Sequence, residues 1–177
     1  FGRCSEDAVV PFEPFVDAIE RQLDGIDSTR MREWIDRHGA DVLRLLPNGF
    51  GLPGATSFGS DVSSMDRVQV MNAVRRWLTG PDGRTASTML VVDDLQWATA
   101  ASQSLLRYLF QACADTPVCF VVAVRTESLG DVDLDTTLNT ATRLGRVSRV
   151  SVRDFGLQHI RELVELHASQ RDPVELL

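Results

Sequence analysis

Before residue 80, apolar side chains recur every three to four positions, which is the spacing of one face of a helix. These stripes predict helices over residues 12–23, 28–39 and 63–79, with a further helical turn at 42–46. Residues 47–62 are rich in Gly, Pro and Ser without periodicity, and they predict a mobile loop. The stripe residues are Phe12, Phe15, Val16, Ile19 and Leu23, then Met31, Trp34 and Ile35, then Val70, Met71, Val74, Trp77 and Leu78.

The predicted helices carry recognisable start and stop signals. Ser28 is the predicted cap of the second helix, and Gly39 follows its end. Ser63 and Asp66 have capping-box spacing at the start of the third helix, which Gly80 ends.

Two later segments are continuously apolar rather than periodic. Residues 89–92 and 118–124 predict strands covered on both faces, as in a parallel sheet, and a helix over 98–114 joins them. Strand, crossover helix and strand form a βαβ unit. A weaker strand is predicted near 146–152, followed by a helix with Leu157, Ile160, Leu163, Val164 and His167 on one side. The pattern predicts an α/β fold.

The composition is that of one soluble globular domain: 177 residues, 44% hydrophobic and 24% charged. No apolar run is long enough to cross a bilayer. No secretory signal follows Phe1, and the missing initiator Met predicts a chain that begins inside a longer protein. The net charge of −7 makes this segment a poor candidate for binding DNA directly.

The three cysteines, Cys4, Cys113 and Cys119, are odd in number and widely spaced. This argues against a disulfide framework and predicts a reducing, cytoplasmic location. Cys113 and Cys119 lie on or beside apolar segments, so both are predicted to be small core residues.

The most informative segment is an apolar strand that ends in two acids, Asp93 and Asp94. Buried carboxylates are costly without a partner, but at the carboxyl end of a parallel strand they project into the crevice where ligands bind. Asp93 is placed to hold Mg²⁺ directly or through water, because this metal prefers oxygen ligands. Asp94 is placed to orient or deprotonate an attacking water. The alternative is that the pair only caps the following helix.

The same segment, Asp-Asp-Leu-Gln-Trp-Ala at residues 93–98, followed by Leu-Leu-Arg-Tyr-Leu in the next helix, resembles a particular ATPase family. It is similar to the STAND-type, AAA-like P-loop ATPase domain of bacterial signalling regulators, including LuxR-type and adenylate-cyclase-associated transcriptional regulators. Residues 1–6 and 10–15 resemble the second strand of that domain and the helix after it. Residues 66–78 resemble the helix before its Walker B strand.

The resemblance implies a role for the end of the next strand as well. In the family, a strand beside the Walker B strand ends in a polar residue that senses the γ-phosphate, and the matching stretch here ends in Arg125. The Arg125 guanidinium is therefore expected to reach the phosphate or to pair with Asp93 or Asp94. The alternative is a solvated arginine at a strand end.

One departure from the family concerns phosphate binding. A complete phosphate-binding loop needs a lysine, yet all 18 basic residues are arginine. The family's first strand and its Gly-rich loop, the Walker A segment, would precede Phe1. The resemblance thus implies a single partial domain over 1–177, with the second strand and a helical segment in 1–46. The Walker B, sensor and last-strand regions are expected in 63–177.

Other patterns do not support a different site. The Gly-x-Gly-x-x-Gly match at residues 49–54 lacks the preceding strand and following helix of a dinucleotide fold. Asp131, Asp133 and Asp135 mimic the start of a calcium loop, but Thr136 stands where that loop needs Gly. The three histidines have no zinc-ligand spacing.

The sequence therefore predicts a three-layer P-loop NTPase core that lacks its N-terminal strand. The expected function is that of a fragment of an ATP- and Mg²⁺-dependent switch domain of a bacterial signalling or transcriptional regulator, and the fragment is expected to be inactive by itself. Asp93 would bind the metal, and Asp93, Asp94 and Arg125 would contact the nucleotide. Asp94 and Arg125 are the expected catalytic residues. Its expected partners are nucleotide, the upstream Walker A segment and downstream domains, with DNA bound only through a separate module and no membrane contact. The alternative is a catalytically inactive NTPase-like interaction module.

Overall fold

The computed structural model describes residues 1–7, 10–46, 64–80, 87–145 and 147–170, without the side chains of residues 40, 64–66 and 168–170. The strands are β1 (Gly2–Arg3), β2 (Thr88–Asp93) and β3 (Val118–Val122). The helices are α1 (Glu13–Leu23), α2 (Ser28–His38), α3 (Ser64–Thr79), α4 (Ala100–Ala112), α5 (Val132–Arg143) and α6 (Leu157–Gln170). Short 3₁₀ turns cover Ala40–Leu45, Leu95–Trp97 and Thr126–Ser128.

The three strands form one parallel sheet in the order β1-β2-β3. Gly2 pairs with Val92 and Arg3 with Asp93, while Thr88 through Val92 pair with Val118 through Val122. The strand, helix and parallel strand formed by β2, α4 and β3 confirm the predicted βαβ unit. The α/β class with a parallel sheet is confirmed with it.

The predicted helical stripes form the core beside this sheet. The side chains of Phe15, Ile19, Val74 and Leu105 are almost completely buried, as the helical spacing required. The helix predicted over 12–23 begins one residue later than its first apolar position, because Phe12 takes a left-handed backbone (φ 64°) just before α1. The predicted helices at 28–39, 98–114 and around 157–167 are also confirmed.

The cap of α2 differs from the prediction. The carboxylate of Asp27, not the hydroxyl of Ser28, accepts hydrogen bonds from the backbone N–H groups of Thr29 and Arg30. Asp27 caps the helix because it lies just before the first turn, where its side-chain oxygen can accept hydrogen bonds from two N–H groups that have no partner within the helix. The loop predicted over 47–62, the glycine pattern at 49–54 and the capping box of Ser63 and Asp66 lie outside the described residues and side chains.

Within the part of the chain that the structure describes, one face of the sheet is covered more fully than the other. Leu90 and Val92 are buried, and Phe120 meets Phe110 of α4 edge to face, with ring centroids 5.2 Å apart. On the opposite face Met89 is 63% exposed and Val121 is 42% exposed. Among the described residues the prediction that both faces are covered is therefore wrong, because a continuous apolar run indicates a strand but does not provide a second layer of helices.

Cys119 lies on this open face and is exposed, so its prediction as a core residue is wrong. A cysteine on a half-covered strand is buried only if its alternating position points to the covered side. Cys4 and Cys113 are buried, and all three thiols are free. The prediction of a small core residue is thus confirmed for Cys113 and wrong for Cys119.

Strand β1 is short, and its backbone lies directly against α1. A Cβ built on Gly2 would come within 1.7 Å of the Pro14 carbonyl oxygen, so only glycine allows this approach. The backbone N–H of Arg3 donates to Asp17 (3.1 Å), and Ser5 donates from its backbone and its hydroxyl to Glu13. Acidic side chains of α1 thereby fix the end of β1.

Helices α1, α2 and α3 are joined by four polar side chains, here called the indole network: Gln22, Trp34, His38 and Trp77. The Gln22 side-chain oxygen accepts from both indole N–H groups, at 3.3 Å from Trp34 and 2.8 Å from Trp77. The His38 ring donates from Nδ1 to the Trp77 carbonyl (2.8 Å) and packs against the Trp34 ring. Each buried donor in the network has a partner.

The strand predicted near 146–152 is wrong. Residues 147–152, the described part of that segment, form no regular structure. A strand needs a neighbour with which to pair its backbone groups, and apolar spacing alone does not provide one.

The chain divides into two compact units, Phe1–Val147 and a second that begins at Ser148 and contains α6. Among the helices described above, none is both long enough and apolar enough to traverse a bilayer.

Candidate functional site

The ends of all three strands are joined by backbone hydrogen bonds at one edge of the sheet. Cys4 N–H donates to the Asp93 carbonyl (3.0 Å), which extends the pairing of β1 with β2. On the other side, Leu95 N–H donates to the Ala123 carbonyl (3.0 Å), which extends the pairing of β2 with β3. Residues that follow these strands are thus fixed near one another, although they lie far apart in sequence.

Four side chains at this edge, here called the strand-end network, bond to one another: Arg3, Asp94, Gln96 and Arg125. Arg3 donates to Asp94 Oδ2 from Nε (3.1 Å) and Nη2 (2.9 Å). Gln96 Nε2 donates to Asp94 Oδ1 (2.9 Å), and Arg125 Nε lies 3.7 Å from the same oxygen. Asp94 is therefore the centre of the network.

The backbone of Asp94 explains how its side chain reaches these partners. Its dihedral angles (φ 54°, ψ 43°) are left-handed, a conformation that aspartate tolerates better than most residues. The chain leaves the strand at this residue and enters the turn of Leu95–Trp97. Only 13% of the Asp94 side chain is exposed.

Two opposing effects act on the Asp94 carboxyl. Partial burial acts to raise its pKa, but the hydrogen bonds from Gln96 and Arg3 and the charges of Arg3 and Arg125 outweigh it and lower the pKa below 3.8. Asp94 is therefore ionised at neutral pH. A low pKa favours a role in which the carboxylate accepts hydrogen bonds and orients its neighbours, because an efficient general base has a pKa near the working pH.

Arg125 is held between an aromatic ring and the acidic centre. Its guanidinium carbon lies 4.5 Å from the centroid of the Trp97 ring, a cation–π contact. Its backbone N–H donates to Gln96 Oε1 (3.2 Å), so Gln96 bridges Arg125 and Asp94. The structure thus brings Arg125 beside Asp94, as expected for a pairing with one of the two acids, while the Arg125 side chain stays 57% exposed.

Asp93 is half-buried, and one of its oxygens, Oδ1, accepts the backbone N–H of Asp94 (3.0 Å). A single carboxylate fits the needs of Mg²⁺, which is usually held by one or two protein carboxylates with phosphate and water as its other ligands. Elsewhere in the described part of the chain, no group of three or more His, Cys, Asp or Glu side chains is arranged to hold a metal. The role of Asp93 toward Mg²⁺ stays a prediction.

The alternative that the acidic pair only caps a helix is wrong. The side chain of Asp94 makes no capping hydrogen bond to the turn of Leu95–Trp97. Helix α4 is capped by Thr99, whose hydroxyl accepts the Ser102 N–H at 3.2 Å. The two acids therefore do not serve only as a helix cap, and Asp94 bonds to the side chains of the strand-end network instead.

The aspartates that mimic a calcium loop also have a structural role. Asp131 caps α5 by accepting the backbone N–H groups of Asp133 and Leu134, both at 3.0 Å. This use of the side chain explains the pattern without a metal.

The chain matches no family model, no curated protein and no solved structure. Any functional assignment therefore rests on the residues and their geometry.

Arg3, Gln96 and Trp97 were not among the predicted site residues. Gln96 and Trp97 lie two and three positions after Asp94, and this short separation in sequence could have indicated that they share its site. Arg3 lies 91 positions from Asp94, and only the register of β1 against β2 brings the two together.

The thiol of Cys4, close to the strand-end network, is unreactive at neutral pH. Cys4 is completely buried beside the strand-end network. Burial, with the negative charges of Glu13, Asp94 and Asp93, raises the pKa of this thiol to about 12. Cys4 is therefore protonated at neutral pH and is not a nucleophile.

A shallow depression of about 520 Å³ adjoins the network on the side of Gln96 and Trp97. Its lining residues are Gln96, Trp97, Glu127, Ser128, Leu129, Gly130, Asp131 and Leu134.

Proposed function

We propose that this chain is part of an ATP-binding and ATP-hydrolysing switch domain of a bacterial signalling or transcriptional regulator. The observation that carries the proposal is the pairing of Asp94, at the end of the middle parallel strand, with Arg125, at the end of the next strand. Acidic and basic groups at the carboxyl edge of a parallel sheet are typical of sites for phosphorylated ligands.

In this proposal each residue has a distinct role. Asp93 holds Mg²⁺, and bound Mg²⁺ would neutralise phosphate charge. Asp94 orients the attacking water and, through its carboxylate, the neighbouring arginine. Arg125 contacts the terminal phosphate. The phosphate-binding loop and a further strand of the P-loop core would come from a Walker A segment upstream of Phe1.

The test is calorimetric titration with Mg-ATP of this chain and of a longer chain that includes the upstream sequence. We expect the longer chain to bind, and Asp93→Asn in it to remove the dependence of binding on Mg²⁺. Asp36→Asn, an exposed aspartate on α2, is the matched control. If the longer chain does not bind ATP, the proposal is wrong.

The open face of the sheet favours the second candidate, an inactive NTPase-like interaction module. Met89, Cys119 and Val121 form an exposed apolar surface on β2 and β3. If this surface mediates association, Val121→Glu should reduce the molar mass measured by light scattering, whereas Val132→Glu, at an exposed valine of α5, should not. Association without any ATP binding by the longer chain would favour this candidate over the first.

A further inference from the structure

We propose that Arg3 and Arg125 act together as the anion-binding pair of this site, for a polyphosphate ligand, and that Asp94 fixes both guanidinium groups in position. This inference deepens the proposed function and rests on it, because it names the residues that would contact the phosphates. Arg3 is the new element, since β1 contributes no other charged side chain to this edge.

The first support is the convergence of the two arginines on one carboxylate from opposite sides. Arg3 bonds to Oδ2 of Asp94, whereas Arg125 lies beside Oδ1. Asp94 directly follows the middle strand, whereas Arg3 is the last residue of one flanking strand and Arg125 comes three residues after the other. The two guanidinium groups are therefore held on either side of a common centre.

The second support is that both guanidinium groups retain free donors. Arginine carries five N–H donors in a planar fork. Arg3 uses Nε and one hydrogen of Nη2 for Asp94, and its Nη1 group donates to no described residue. The Arg125 guanidinium makes an ion pair and a ring contact but donates no hydrogen bond within the described residues.

The third support is exposure. The side chains of Arg3 and Arg125 are 60% and 57% exposed, whereas that of Asp94 is 13% exposed. The shared anion is thus inside and the two cations face solvent. Within the strand-end network the exposed charges are therefore both positive, while Asp93, Glu13 and Asp17 add negative charge nearby. Planar guanidinium groups suit the oxygens of a phosphate.

The probe for this inference is inorganic tripolyphosphate without metal, titrated into the full chain by calorimetry or followed through Trp97 fluorescence. Arg3→Gln and Arg125→Gln should each weaken binding by about three- to tenfold, which is the size expected for a charge-assisted contact at an exposed site. Arg32→Gln is the matched control, because Arg32 is an exposed arginine on α2. Arg3→Lys keeps the charge but loses the planar fork, so it should fall between wild type and Arg3→Gln.

Equal affinity of Arg3→Gln and Arg32→Gln would overturn the inference, as would an absence of binding to the wild-type chain at millimolar tripolyphosphate. If thermal unfolding shows that Arg3→Gln does not fold, the comparison of Arg3→Lys with Arg32→Lys decides the question. Arginine-dependent tripolyphosphate binding without Mg-ATP binding by the longer chain would refute the proposed function and leave the inference standing. Mg-ATP binding that requires Asp93 but is unaffected by Arg3→Gln would refute the inference and leave the proposed function standing.

Discussion

The indole network and the strand-end network both join elements that are distant in sequence, yet they differ in charge and in exposure. In the indole network, neutral groups of three helices satisfy one another, and both indole rings are buried. In the strand-end network, charged groups share one carboxylate, and the arginines keep unused donors toward solvent.

This difference in charge and exposure suggests different roles: the indole network stabilises the packing of the helices, whereas the strand-end network is suited to binding a ligand. A network whose buried donors all have partners stabilises one packing arrangement and offers no charged donor to a further partner. A network that leaves guanidinium donors exposed can still gain hydrogen bonds from a ligand. Substitutions in the first should change stability, and substitutions in the second should change binding more than stability.

The largest expected effect is at Gly2, on whose position Arg3 depends. Gly2→Ala places a Cβ against the Pro14 carbonyl and should lower the free energy of unfolding by about 3 kcal/mol or more, because the obstacle is backbone. Denaturant titration measures it. Gly156→Ala is the control, since its Cβ would meet only a His159 ring atom at 3.6 Å. Equal stability of the two variants would show that β1 does not lie against α1.

Gln22→Leu tests the indole network. Both indole N–H groups lose their acceptor, so we expect a loss of about 1–2 kcal/mol in the free energy of unfolding, moderated because Gln22 itself is exposed and water can enter. The same measurement on Gln111→Leu, at an exposed position of α4, should show little change. A similar loss in both variants would mean that the shared acceptor contributes nothing specific.

Asp94→Asn tests whether the strand-end network is less important for stability than for binding. Asparagine keeps the size and tolerates the left-handed backbone, so only the charge is removed. We expect a loss of about 0.5–1 kcal/mol at pH 7, because Arg3 and Arg125 are mostly exposed. The loss should vanish in strong acid: the pKa of the folded Asp94 is lowered, so its contribution is present above pH 3.8 and disappears as pH falls further. A loss larger than that of Gln22→Leu would contradict the comparison.

The smallest expected effect is a pH dependence from His38. Burial lowers its pKa below 6.5, with a further contribution from Arg37, and the hydrogen bond to the Trp77 carbonyl only partly opposes this. Because the folded pKa is lowered, the unfolded chain binds more protons, and stability should rise as pH increases through 6.5. Comparing wild type with His38→Gln by thermal unfolding at several pH values isolates the effect. A wild-type curve parallel to that of His38→Gln would exclude it.

Sequence periodicity predicted most of the helices and the βαβ unit, because burial of Ile19, Val74 or Leu105 depends on spacing within one element. It failed where the outcome depends on what lies beside an element. Met89 and Cys119 have the composition of a buried strand, yet they lie on the open face. The segment near 146–152 has apolar spacing but no strand.

The candidate site divides in the same way. Asp93, Asp94 and Arg125 could be found from sequence because each follows an apolar strand. The pairing of Arg3 with Asp94 could not, because it depends on the register of a two-residue strand and on the close approach that Gly2 permits. The roles of Asp93 and Arg125 toward a nucleotide stay predictions.

The exposure of Cys119 makes it possible to attach a probe to the open face of the sheet. Its two companions, Cys4 and Cys113, are buried, so a thiol-reactive dye should label the native chain at one place without mutagenesis. That dye would stand beside Val121, on the surface whose covering distinguishes the two candidate functions. The rate of labelling therefore measures how accessible this surface is to the dye. The rate in the isolated chain can be compared with the rate in any longer protein that contains it.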